Sequence, residues 1–135
     1  MEVRQRALVA AQVAAWARLQ LVLDPLLDTV HVQTIKDAFK TLDRERIDLI
    51  ICTLAFEESR MIEFLQAVKR TASAASIPFV CCRALPSVLS DDMVEHMRAA
   101  CLQAGADALV DIARLDHDKA QSVLTSAVTA CLPRK

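Results

Sequence analysis

Residues 48 to 70 read Asp-Leu-Ile-Ile-Cys-Thr-Leu-Ala-Phe-Glu-Glu-Ser-Arg-Met-Ile-Glu-Phe-Leu-Gln-Ala-Val-Lys-Arg. Ile47 to Cys52 is a continuous apolar run around Asp48, and Thr53 closes it. A short run of this kind suits a parallel strand covered on both faces. After a short loop, Met61, Ile62, Leu65 and Val68 recur at the spacing of one helical face. A buried strand followed closely by an amphipathic helix is one βα unit.

The same alternation extends in both directions. Arg6 to Ala10 reads as a short buried strand, and residues 12 to 23 as a helix. Val13, Trp16, Leu19 and Leu23 are available for burial on that helix, with Gln12 and Gln20 outward. Pro25 disfavours helical geometry at Asp24 and places the helix end near there. Val30 to Thr34 is a second strand. Ile35, Ala38, Phe39 and Leu42 then follow at helical spacing, with Lys36, Asp37, Lys40 and Asp43 outward.

Beyond the opening unit, Thr71 to Ser76 is a small-residue loop and Ile77 to Cys82 a fourth strand, with Pro78 tolerable near its start. Leu85 to Leu89 is a loop. Ser90 is an N-cap candidate, followed by Asp91 and Asp92 in the first turn. Met93, Val94, Met97, Ala100, Cys101 and Ala104 form the next stripe, and Gly105 caps its end. Ala108 to Ile112 is a fifth strand. Asp116 begins a last helix, lined by Ala120, Val123, Leu124, Ala127, Val128 and Cys131. Five strands alternating with five helices predict an α/β fold with a parallel sheet between two helical layers. One domain is expected over residues 1–135.

Composition narrows the function classes. Hydrophobic residues make up 54% of the chain, above disordered composition, and the formal net charge is −1. No basic run suggests nucleic-acid binding by this domain, and nothing suggests a membrane surface. There is one glycine, Gly105. A dinucleotide-binding loop needs several glycines and a P-loop at least two, so neither can be written here. Five cysteines (Cys52, Cys81, Cys82, Cys101, Cys131) lie in apolar runs without a CxxC pair. They are expected to be reduced, packed thiols in a cytoplasmic protein. No His lies at ligand spacing from them, so no metal or other cofactor is expected.

Four pieces, in order and at matching spacing, carry a family resemblance. They are Asp48 to Cys52, Met61 to Val68, Ile77-Pro78-Phe79-Val80, and Gln103-Ala104-Gly105-Ala106-Asp107. Together they resemble the receiver domain of response regulators over Arg6 to Leu132. The resemblance implies the flavodoxin-like strand order 2-1-3-4-5 and a place in bacterial-type signal transduction, such as a two-component system or transcription regulation. It also implies positions for phosphoryl chemistry, and here each holds the wrong residue. The acidic pair that holds Mg²⁺ matches Ala11 and Gln12, and Mg²⁺ demands hard oxygen ligands. The phosphoacceptor aspartate matches Thr53. The hydroxyl after the fourth strand matches Arg83, the clamping Lys matches Ile112, and the aromatic switch residue matches Leu109. Phosphoryl transfer works by positioning and charge neutralisation, and these residues supply neither.

The resulting expectation is a pseudo-receiver: not an enzyme, and acting without phosphorylation through protein–protein contact or homodimerisation. The resemblance places that contact on the fourth helix, fifth strand and fifth helix, where Met97, Arg98, Cys101, Asp116, Lys119 and Val123 are candidates. Two alternatives stand beside it. One is a small-ligand or anion sensor using the crevice at the strand carboxyl ends, where open α/β sheets bind ligands. The other is that the chain is the N-terminal module of a longer regulator. Single residues have plainer expectations. Thr53 is a hydroxyl satisfied by backbone, and Arg83 is solvated or paired with Glu57 or Glu58 on the surface. Cys52, Cys81 and Cys82 cluster at two strand ends, with no base nearby to activate a thiol. Trp16 packs, and His31, His96 and His117 lie in separate elements.

Overall fold

Five parallel strands form one sheet in the order β2-β1-β3-β4-β5 in the computed structural model, which describes residues 4–23, 26–87 and 89–132. The strands are β1 (Arg6–Ala10), β2 (Asp28–Val32), β3 (Leu49–Thr53), β4 (Phe79–Arg83) and β5 (Ala108–Asp111). The helices are α1 (Val13–Leu23), α2 (Ile35–Arg44), α3 (Phe56–Ser59), α4 (Met61–Arg70), α5 (Asp91–Gln103) and α6 (His117–Cys131). This is the flavodoxin-like order 2-1-3-4-5. The expected helix stop at Asp24 and Pro25 lies outside the described residues.

Side chains alternate across each strand, so the sheet divides the core in two. Leu8, Ile50, Cys52, Cys81 and Leu109 face α2, α4 and α5, where Phe64, Leu65, Val68, Val94 and Cys101 cover them. Ala7, Val9, Ile51, Val80 and Val110 face α1 and α6, under Leu19, Val22, Leu124 and Val128. Phe64 meets Phe39, Phe56 and Phe79 at centroid distances of 5.8, 5.5 and 5.7 Å. Full burial of such a ring contributes about 1.5–3 kcal/mol.

Local chemistry explains where the elements stop. β2 begins two residues before its expected start, because Arg6 to Ala10 pair in register with Asp28 to Val32. Thr34 is not strand: its side chain accepts from Asp37 N at 3.0 Å and caps α2. Ser90 and Asp116 cap α5 and α6 through Met93 N and Lys119 N. Gly105 has φ +110 after α5, a region that L side chains rarely adopt. A Cβ there would also lie 3.2 Å from Lys69 Cγ.

Two packing expectations and one loop expectation are corrected. Val13 is 61% exposed, because Ala15, Leu19, Val22 and Leu23 form the buried face of α1. Met93 and Ala100 are exposed on α5, where only Val94 and Cys101 are fully buried. The segment expected as a plain loop after β3 contains the single turn α3. Glu57, Glu58 and Ser59 all have positive φ there (43, 58 and 64), a left-handed conformation costing about 1–2 kcal/mol per non-glycine residue.

Candidate functional site

The strand carboxyl ends converge on Thr53, Arg83 and Asp111. Thr53 and Cys82 are register partners on β3 and β4, and Arg83 and Asp111 on β4 and β5. A cavity of about 310 Å³ opens here. Its walls are mainly apolar, with Ala15, Leu54, Ala55, Ala84, Leu85 and Pro86 among them. Gln12, Thr53, Ser59, Arg83 and Ser87 supply its polar groups.

Arg83 is 2% exposed, which corrects the solvated placement expected from sequence. Its partner is neither Glu57 nor Glu58. Register puts the Arg83 and Asp111 side chains on one side of the sheet, and Nη1 donates to Asp111 Oδ2 at 3.2 Å. Nη2 donates to Leu89 O at 3.1 Å and more distantly to Ser87 O at 3.4 Å. Asp111 Oδ1 also accepts from Ala113 N at 3.1 Å. Nε of Arg83 is buried without a hydrogen-bond partner among the described residues, an unusual condition for a buried donor. Glu57 is occupied elsewhere, accepting from Ile35 N at 2.8 Å and pairing with Arg60.

Thr53 is 3% exposed, and its hydroxyl donates to Ala10 O at 3.5 Å, the long limit of a hydrogen bond. Ala11 is fully buried and Gln12 exposed at the end of β1. Ile112 is fully buried in the α1–α6 half of the core, and Leu109 is buried in the other half. Among the described residues, no three His, Cys, Asp or Glu side chains are grouped to hold a metal ion.

Arg18 on α1 is a residue that sequence reasoning passed over. Its guanidinium donates to Ala84 O at 2.6 Å, Ile112 O at 2.5 Å and Leu115 O at 2.5 Å. One cation therefore ties α1 to the segments after β4 and β5. A half-polar helix with an Arg between Ala17 and Leu19 was the available signal, but it did not identify three carbonyls distant in sequence.

The cysteines do not converge as expected. Cys52 and Cys81 lie in one half of the core with Cys101, whereas Cys82 faces the other half. Burial pushes the Cys82 thiol up to about 12, with the Asp111 carboxylate adding to the rise and the Arg18 guanidinium opposing it. Burial likewise raises Cys52. A hydrogen bond between the Cys81 and Cys101 thiols raises Cys81, burial adding to it, and lowers Cys101.

The candidate contact face divides into surface and core. Lys119 is exposed and Val123 is 40% exposed. Asp116 is exposed, with one carboxylate oxygen used as the α6 cap. Met97 is half-buried against the core. Arg98 pairs with Glu95 and donates to Leu109 O at 3.3 Å, so its fork is engaged within the chain. Cys101 is fully buried, which removes it from any surface. Among the described residues, no helix is long and apolar enough to cross a membrane.

No family model and no curated protein matches the chain. Solved structures do. A response regulator from Hahella chejuensis superposes with a TM-score of 0.72 at 20% identity, covering 96% of this chain and 99% of that one. The Mn²⁺-bound form of response regulator Rcp1 gives 0.71 at 18% identity, covering 98% and 100%. An orphan response regulator of H. pylori gives 0.65 at 11%, covering 92% and 96%. These likenesses establish the receiver-domain fold for this chain.

Proposed function

We propose that this chain is a phosphorylation-independent signalling domain that works by presenting a surface to a protein partner or to a second copy of itself. The observation that carries this is the state of the strand-end site. Where receivers need a carboxylate nucleophile, a metal pair and a free cation, this chain has a buried Thr53, an apolar Ala11 and an Arg83 committed to Asp111. The joint change removes the charge arrangement on which phosphoryl transfer depends. The scaffold that displays the helices is intact. A cytoplasmic setting fits five cysteines that are all free thiols.

The test is incubation with acetyl phosphate and Mg²⁺. The intact mass is expected to stay unchanged, and the amide NMR spectrum with it. Gain of one phosphoryl group on the chain would overturn the proposal. For the surface, Lys119 and Val123 are the accessible candidates on α6. Lys119→Glu with Val123→Asp is expected to weaken assembly seen by sedimentation velocity. Arg98 is the less direct target, because Glu95 and Leu109 O hold its fork within the chain.

A further inference from the structure

We propose that the cavity at the carboxyl ends of β3 and β4 is a binding site for a small uncharged molecule with an apolar body and one or two hydrogen-bonding groups. This goes beyond the surface-display reading and does not depend on it. Three observations lead to the ligand class.

The first is size. A water occupies about 30 Å³ in the liquid, so a cavity of about 310 Å³ has room for on the order of ten heavy atoms. That volume is at the lower end of ligand pockets. The second is the distribution of polarity. Leu54 and Ala55 after β3 and Ala84, Leu85 and Pro86 after β4 make apolar walls, while Gln12, Ser59 and Ser87 bring exposed polar groups to it. The Thr53 hydroxyl adds one more, held only by its 3.5 Å bond to Ala10 O. A mainly apolar pocket with a few converging polar groups is the usual form of a small-molecule site.

The third is charge, and it decides between a neutral ligand and an anion. Among the described residues, Arg83 is the one charged residue lining the cavity. Its charge is already met by Asp111 at 3.2 Å and its Nη2 by Leu89 O at 3.1 Å, which leaves one buried N–H, at Nε, unpartnered but no uncompensated positive charge. Arg18, the nearby cation at Ala84, is likewise engaged by three carbonyls. A phosphate or carboxylate entering the cavity would therefore be desolvated without a free counter-charge, and burial of an unpaired charge is strongly unfavourable. A neutral amide, ketone or alcohol pays no such penalty and is met by the hydroxyls and the Gln12 amide.

The experiment uses three probes on the full chain: benzamide, benzoate and inorganic phosphate, followed by amide NMR. Benzamide is expected to cause saturable shifts centred on Ala15, Thr53, Ala55 and Leu85. Benzoate, of the same shape with one negative charge, should bind at least about tenfold more weakly because its charge stays unpaired. Phosphate should cause no saturable shift. Absence of saturable benzamide shifts at these residues, or benzoate or phosphate binding as tightly as benzamide, would overturn the proposal. Ala55→Trp, at an exposed position of the lining, fills the cavity and should abolish the benzamide shifts while leaving the circular dichroism spectrum unchanged. Should that variant not fold, Ser87→Trp does the same from the other wall. Benzamide binding that survives in the folded variant would place the site elsewhere and refute the assignment.

Discussion

Arg83 carries its charge into a site 2% exposed to solvent, while the Asp111 side chain that answers it is 30% exposed. The two halves of the pair therefore differ in what their loss leaves behind. Arg83→Met strands a carboxylate that water still reaches, and should lower stability by about 1–2 kcal/mol. Asp111→Asn strands a buried guanidinium and should cost about 3 kcal/mol, in the range for breaking a buried pair. Urea unfolding of both variants measures the difference, and a larger loss for Arg83→Met would contradict this account of the site. At this scale the sequence was informative about identity and poor about partners. That Thr53, Ala11 and Ile112 match the chemical positions of a receiver is what the resemblance implies, and it needs only the order of residues along the chain. That Arg83 turns to Asp111 could not, because it depends on β4 and β5 being neighbours in register.

Elements were legible where the signal is local. Apolar runs marked β1, β3, β4 and β5, alternation marked β2, and helical periodicity marked α2 and α4, because burial of one face repeats along the chain itself. Boundaries and exceptions came from elsewhere. β2 starts at Asp28 because β1 pairs with it there, and Thr34 is taken by the α2 cap. The left-handed turn at Glu57, Glu58 and Ser59 has no glycine to announce it. α1 was the least periodic helix, and its outer positions Val13 and Leu21 are 61% and 67% exposed. What secures it includes Arg18, whose three carbonyl partners are 66, 94 and 97 residues away. Arg18→Ala should cost about 3 kcal/mol, since hydrogen bonds to a charged group are worth about 1.5–3 kcal/mol each and their sum is not additive. Contacts so distant in sequence belong to the completed fold, so the loss is expected mainly as faster unfolding in stopped-flow measurements. Slower folding with unchanged unfolding would contradict that order of events.

For the molecule as a whole, the thiols predict how stability responds to alkali. Cys52, Cys81 and Cys82 all have folded pKa values raised above the ordinary value of 9.0. Unfolding releases them to lose protons near 9, so above that pH the unfolded chain binds fewer protons than the folded one. Their contribution to stability is complete below about pH 9 and is lost as pH rises toward the folded values. For Cys82 that window runs from 9.0 to about 12. Cys131 is raised as well, by its partial burial and the Asp107 carboxylate, and each such group adds a slope of up to about 1.4 kcal/mol per pH unit. Urea unfolding under reducing conditions at pH 9, 10 and 11 should show the decline. Cys82→Ala should reduce the slope by up to about 1.4 kcal/mol per pH unit, and an unchanged slope would remove Cys82 from the explanation.

Trp16 stacks on His31 with ring centroids 4.8 Å apart and planes 10° from parallel. It is the chain's single tryptophan, and there is no tyrosine. Ultraviolet emission therefore arises from one indole, at the junction of α1 and β2, with no second emitter and no energy transfer from phenols. Gln12 and Ala15, on the preceding turn, line the cavity. The protein thus carries its own optical label, placed where separation of α1 from the sheet or filling of the adjacent site alters the surroundings of one ring.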